Sequence, residues 1–231
     1  NVALIIKIMP ESHHVEKRNK IKLKSVFHGY MQIISNTAFI SHILAFCCLF
    51  AGIMIWHAAG PFLIITKLRH SGIIFGLLQT LIYAFFIIAT HIVPYLQKKI
   101  GTENLIKVGL LIAFSSGILS LICFALPLNK LFSLMLGLSI FFFGAGLCFA
   151  PLHRVGIESS SQLTGIKMAV FSSCMNIFGV IGCALVNAFY DGNALSIMLL
   201  VTFMALLAIL AKYFKPLTMC RILNNCSRIK D

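Results

Sequence analysis

Six apolar runs fill residues 39–65, 71–96, 104–127, 130–152, 162–189 and 194–215. A helix rises about 1.5 Å per residue, so each run is long enough to cross a hydrocarbon core of roughly 30 Å. The links between them are short: Thr66–His70, Gln97–Glu103, Leu128–Asn129, His153–Ser161 and Tyr190–Asn193. Links of that length force consecutive helices to run antiparallel as neighbours and leave no room for a soluble domain between them. Composition agrees. Charged residues make up 11% of the chain, hydrophobic residues 59%, and the mean hydropathy is +0.97. A soluble domain needs roughly 25% charged residues to cover its surface. The expected fold class is an all-α membrane protein with six transmembrane helices and a lipid bilayer as its first partner.

The charge is uneven. The net value of +13 would suggest nucleic acid in a soluble protein. Here the basic residues sit in the links, which argues against a nucleic-acid partner. One side of the expected membrane holds sixteen Lys and Arg, among them Lys98, Lys99, Lys107, Arg154, Lys167 and Lys212. The other side holds three: Lys67, Arg69 and Lys130. Basic loops stay in the cytoplasm, so both ends of the chain are expected there, and six spans satisfy that parity.

The ends carry further expectations. Residues 1–9 start on Asn1 and read as the end of a truncated transmembrane helix, stopped at Pro10. Residues 10–38 form a basic cytoplasmic loop, part of it an amphipathic helix in which Ile21, Leu23, Val26, Phe27 and Tyr30 alternate with charges. Residues 39–215 are the six-helix domain, and 216–231 a basic cytoplasmic tail. Of the eight cysteines, six lie inside apolar runs and read as small packing residues. Cys220 and Cys226 lie in the tail, and none shows a metal spacing.

Charged groups inside a bilayer are costly and usually functional. All six acidic residues fall in links or the tail, so no intramembrane carboxylate is expected to bind a proton, sodium or Mg²⁺. The polar residues within the runs are neutral. His42, His57 and His91 are candidates either for proton relay or for ordinary hydrogen bonds between helices. His57 neighbours Trp56 and precedes Gly60-Pro61, a dipeptide expected to break or kink its helix. Gln79 and Tyr83, four apart, share one helix face. Two stripes of small residues run at helical spacing: Ser133, Gly137, Gly144 and Cys148, and then Ser172, Asn176, Gly179, Cys183 and Asn187. Both read mainly as close-packing surfaces, with Asn176 and Asn187 standing out as amides in need of partners. The run Phe141–Phe143 suits either lipid or an apolar pocket.

The order of features resembles the C-terminal half of a major facilitator superfamily transporter of the drug:proton antiporter branch. The resemblance is nearest to the bacterial multidrug, bicyclomycin and chloramphenicol efflux proteins. It rests on Met9-Pro10-Glu11, on Asn36-Thr-Ala-Phe39, and on Trp56-His-Ala-Ala-Gly60-Pro61-Phe-Leu-Ile. Phe75 and Gln79, Gly144-Ala-Gly146 leading to Pro151, and the stretch Gly165 to Asn176 continue it. The loop Val93-Pro-Tyr-Leu-Gln-Lys98-Lys99-Ile-Gly101 departs from the family's loop motif by lacking its Asp.

The resemblance implies a proton-coupled exporter of small amphipathic substrates in a bacterial inner membrane, rocking two six-helix halves about a midplane site. It makes the missing N-terminal half a partner, along with substrate and protons. It also makes the runs at 39–65, 71–96, 130–152 and 162–189 the inner helices and those at 104–127 and 194–215 the outer ones. The family's proton-titrating carboxylates lie chiefly in the first half, so none is carried onto this sequence. Candidate substrate-facing residues are Trp56, His57, Gln79, Tyr83, Asn176 and Phe143. No cofactor, catalytic residue or metal site is expected. Two alternatives stand beside transport: a non-functional remnant of such a transporter, and a membrane-embedded enzyme, against which the lack of intramembrane acids argues.

Overall fold

The computed structural model describes residues 23–126 and 129–213, with side chains from residue 29 onward. Met9-Pro10-Glu11, the first part of the basic loop and the tail with Cys220 and Cys226 lie outside the described residues. The first element, α1 (Leu23–Ser35), is the helix expected in the basic loop. Its buried Ile33 and half-buried Tyr30 face the bundle, while Met31 and Ile34 are exposed.

Six long helices follow, each long and apolar enough to cross a membrane. They are α2 (Thr37–Pro61, continued by a π-helical turn over Phe62–Lys67), α3 (Gly72–Ile100), α4 (Thr102–Ala125), α5 (Lys130–Glu158), α6 (Thr164–Phe189) and α7 (Ala194–Tyr213). Among the described residues there is no strand. Over its described residues the chain is an all-α membrane protein with six spans.

Local sequence sets the ends. Asn36 caps α2 by accepting from the Phe39 amide at 3.1 Å, and its own side-chain amide donates to the Ser159 carbonyl at 2.9 Å. One residue thus starts α2 and pins it to the end of α5. Lys167 is buried and donates to the Ile157 and Ser160 carbonyls at 2.9 and 3.0 Å, satisfying acceptors where α5 runs out. The link expected over Gln97–Glu103 shrinks to Gly101 alone, whose φ of 81° suits glycine and turns the chain directly from α3 into α4. The link expected to begin at His153 is instead helical to Glu158.

The break expected at Gly60-Pro61 is a change of pitch. Pro61 has no N–H to give to the carbonyl four residues back, and the chain widens into the π-helical turn. Gly60 serves a separate purpose. A methyl group there would lie 2.9 Å from Trp56 Cζ3, so the bare backbone seats the indole.

Helices α2 and α5 form the spine. Of their most apolar 18-residue windows, 67% and 72% are buried, against 11% for α3 and 28% for α6. Both are apolar all round, as helices enclosed on every side must be. The stripe on α5 does what its small residues suggest. A Cβ on Gly144 would sit 2.6 Å from the Ala113 backbone nitrogen, so α4 and α5 touch backbone to backbone. Ser120 donates to the Ser133 carbonyl at 3.0 Å and Cys148 to the Ile106 carbonyl at 3.5 Å across the same seam. The stripe on α6 splits. Gly182, beside it, packs against the Ala51 carbonyl, and Gly179 is buried against Phe50. Ser172, Asn176, Cys183 and Asn187 are exposed. That face of α6 is an open polar surface rather than a packing seam.

Candidate functional site

Four of the six candidate residues meet in one hydrogen-bonded network between α2 and α3. Trp56 Nε1 donates to Gln79 Oε1 at 2.6 Å. Gln79 Nε2 and Tyr83 Oη lie 3.1 and 3.0 Å from His57 Nε2. His57 Nδ1 lies 2.7 Å from the Ile53 carbonyl, one turn back on its own helix.

Chemistry fixes every role in this chain of contacts. The indole N–H can only donate, so the Gln79 oxygen must accept, and its amide nitrogen is left to donate to His57. The carbonyl of Ile53 can only accept, so Nδ1 carries the imidazole proton. His57 Nε2 is therefore a bare acceptor shared by two donors, the Gln79 amide and the Tyr83 hydroxyl. The network is neutral and self-consistent. Trp56 is fully buried, and the other three are half-buried.

Aromatic side chains enclose it. Phe75 lies 6.0 Å from Trp56 by ring centroids, and Phe142 meets the edge of Tyr83 at 5.3 Å. Phe143 does not join them. It packs with Leu105, Leu147, Ala89 and Val93 in a separate small core between α3, α4 and α5. Adjacent residues on a helix point about 100° apart, so only one of the pair faces α3's polar side. Phe142, named in the sequence only as part of the run Phe141–Phe143, is the residue that meets Tyr83, a contact that depends on the pairing of α3 with α5. Asn176 is also apart, on the open face of α6. Asn187, on the same face, lines a cavity of about 390 Å³ with Ala58, Phe62 and Tyr190, whose hydroxyl is buried without a partner.

A second polar cluster lies at one end of the bundle. His42 on α2, Glu103 at the start of α4 and Lys212 at the end of α7 converge there. Lys212 Nζ is 2.9 Å from Glu103 Oε2 and 2.6 Å from His42 Nε2. His42 Nε2 is also 3.3 Å from Glu103 Oε1, and its Nδ1 is 2.6 Å from the Ala38 carbonyl. His42 and Lys212 are buried, while the Glu103 side chain is 54% exposed. No spacing in the sequence announces this cluster. Antiparallel topology does, because it brings the start of α4 and the end of α7 to the same membrane side.

The third intramembrane histidine, His91, is exposed on α3, with Nδ1 2.8 Å from the Ile87 carbonyl.

No family model matches the chain. Individual proteins do. The chain is 23% identical over 166 residues to the chloramphenicol resistance protein CraA of Acinetobacter baumannii, covering 72% of this chain and 40% of that protein. It is 26% identical over 170 residues to the multidrug transporter MdfA of Escherichia coli O157:H7, covering 71% and 40%. Against the multidrug transporter MdfA of Yersinia pestis the identity is 26% over 189 residues, covering 79% and 44%. The resemblance to drug-efflux transporters read from the motifs is thus met by similarity to curated transporters. The chain spans about two fifths of the length of the relatives it matches.

Proposed function

We propose that this chain is the C-terminal six-helix half of a proton-coupled exporter of small amphipathic compounds, and that Trp56, His57, Gln79 and Tyr83 form the polar part of its substrate-facing surface. The observation that carries the reading is the network itself. Four side chains that are costly to place in an apolar span are gathered at one spot, on two helices, with a proton-accepting nitrogen at the centre. Aromatic rings around a few directional polar groups suit flat, amphipathic ligands. Similarity to proteins named for multidrug transport and chloramphenicol resistance supports the same class. In this reading both ends of the chain are cytoplasmic, the open faces of α3 and α6 turn toward the other half, and Asn176 lines the path between them.

The hydrogen-bond roles suggest how a proton would be felt. Protonation at His57 Nε2 turns the shared acceptor into a donor. The Tyr83 hydroxyl can reverse and accept, but the Gln79 amide nitrogen cannot. Gln79 must then leave His57 or flip, and a flip takes the acceptor away from Trp56. One proton therefore breaks the Gln79 bond to His57 while the Tyr83 bond can persist.

The test is proton-linked efflux from cells or vesicles carrying the full-length protein that contains these residues. Trp56→Ala, Gln79→Ala and Asn176→Ala are expected to change which compounds are exported more than they change expression. Wild-type export profiles in all three variants would remove the proposed site, and the absence of any pH-gradient-dependent flux would remove the transport reading.

A further inference from the structure

At the end of the bundle away from the Glu103 cluster, two cavities adjoin. The first, about 310 Å³, is lined on its polar side by Lys67, His70 and Lys130. The second, about 340 Å³, runs along Phe124, Leu195 and Leu199. They share Lys130, Asn193 and Ala194, so a chamber edged by basic groups opens onto a mixed groove in which Phe124, Leu195 and Leu199 supply the apolar part and Asp191 and Ser196 the polar part.

Lys67 and His70 come from the connection between α2 and α3, Lys130 from the start of α5, and the fold brings them together. Lys67 lies over the turn at Gly192, where a Cβ would stand 3.3 Å from its Nζ and φ is +85°. Glycine therefore makes room for the lysine. Asp191 is the one acid at this end among the described residues, and it lines the second cavity. Its carboxylate is held ionised by neutral donors from its own turn. It accepts from the Asn193 amide at 3.0 Å, from Asn193 Nδ2 at 2.8 Å and from Ser196 Oγ at 2.5 Å, and these bonds hold its pKa down to about 2. Lys67 and Lys130 make no ion pair among the described residues. Lys67 and Lys130 outnumber the one ionised acid, Asp191, so the double cavity keeps a net positive charge, with His70 beside it.

We propose that this double cavity holds one anionic phospholipid, its phosphodiester between Lys67, His70 and Lys130 and an acyl chain along Phe124, Leu195 and Leu199. Charge complementarity selects the anionic head group. The apolar side chains of the adjoining groove select a lipid over free phosphate, which would leave Phe124, Leu195 and Leu199 uncovered. The site lies apart from the Trp56–Tyr83 network and does not depend on the transport reading.

The full chain, stripped of lipid in detergent, is to be titrated with phosphatidylglycerol, phosphatidylcholine or inorganic phosphate, with bound lipid read by native mass spectrometry. Phosphatidylglycerol is expected to bind about tenfold or more tightly than phosphatidylcholine. The preference is expected to vanish in K67Q/K130Q and to persist in K98Q/K99Q, which removes equal charge from the other end. Both lysines are exposed, so glutamine at either position leaves the fold intact. Equal retention of the two lipids, or the same loss in both double variants, would overturn the proposal. Displacement of phosphatidylglycerol by millimolar inorganic phosphate would overturn its lipid part and leave a free-anion site.

Discussion

His42 and His57 sit fifteen residues apart on one helix, about 22 Å along its axis, and both tether Nδ1 to the carbonyl one turn back. What faces their other nitrogen is opposite in kind. His42 meets an ammonium and a carboxylate at the bundle's end, one of them half in solvent. His57 meets an amide and a phenol within the apolar span. The same side chain with the same tether is thus placed in an ionic clasp in one case and in a neutral network in the other. The difference teaches that position along the span decides the chemistry. Charges are affordable where water reaches Glu103, and only neutral donors are affordable around Trp56.

Three substitutions break or sharpen this contrast. The largest effect is expected from Gln79→Leu. It orphans the indole N–H of a fully buried Trp56 and strips one donor from His57, at a cost of about 1–3 kcal/mol in unfolding free energy in detergent. That loss should not change between low and high salt, because no charge is involved. A smaller effect is expected from Glu103→Gln. It leaves Lys212 buried beside His42 without its counter-charge, but Glu103 is half exposed, so the loss is nearer 1 kcal/mol. This loss should shrink as salt is raised. Equal salt dependence in the two variants would erase the distinction between clasp and network. The smallest effect is expected from His91→Ala. His91 shares the backbone tether but faces no described side chain on its other nitrogen, so its stability should stay within about 0.5 kcal/mol of wild type. A larger drop would mean that the tether, and not the surroundings, gives these histidines their weight.

The comparison also marks what the sequence could reveal. Six spans were legible because apolar length is a property of the chain alone. So was the α5 stripe, since glycines at helical spacing serve no purpose but close approach. The α6 stripe has the same spacing and was read the same way. It packs only through Gly179, because its other members face outward, and spacing carries no information about which neighbour a face meets. The Trp56–Gln79–Tyr83 grouping was half legible. Gln79 and Tyr83 share a face by arithmetic, but their convergence on His57 depends on the rotation of α3 against α2. Phe143 was chosen where Phe142 makes the contact for the same reason: a one-residue shift turns a side chain by about 100°. The His42–Glu103–Lys212 cluster escaped motif reading entirely, being assembled from three separate segments whose only common property is membrane depth.

One small feature ties these regions together mechanically. Gly101 is the whole joint between α3 and α4, and Glu103 is only two residues beyond it. A joint of one residue has no slack. If α3 tilts when its Gln79 parts from His57, the start of α4 must travel with it, and Glu103 is carried along while still holding Lys212. The bundle then works as a closed linkage: a displacement at mid-span on α3 arrives at the far end of α7 through a single glycine, with α2 as the fixed bar against which both histidines measure it.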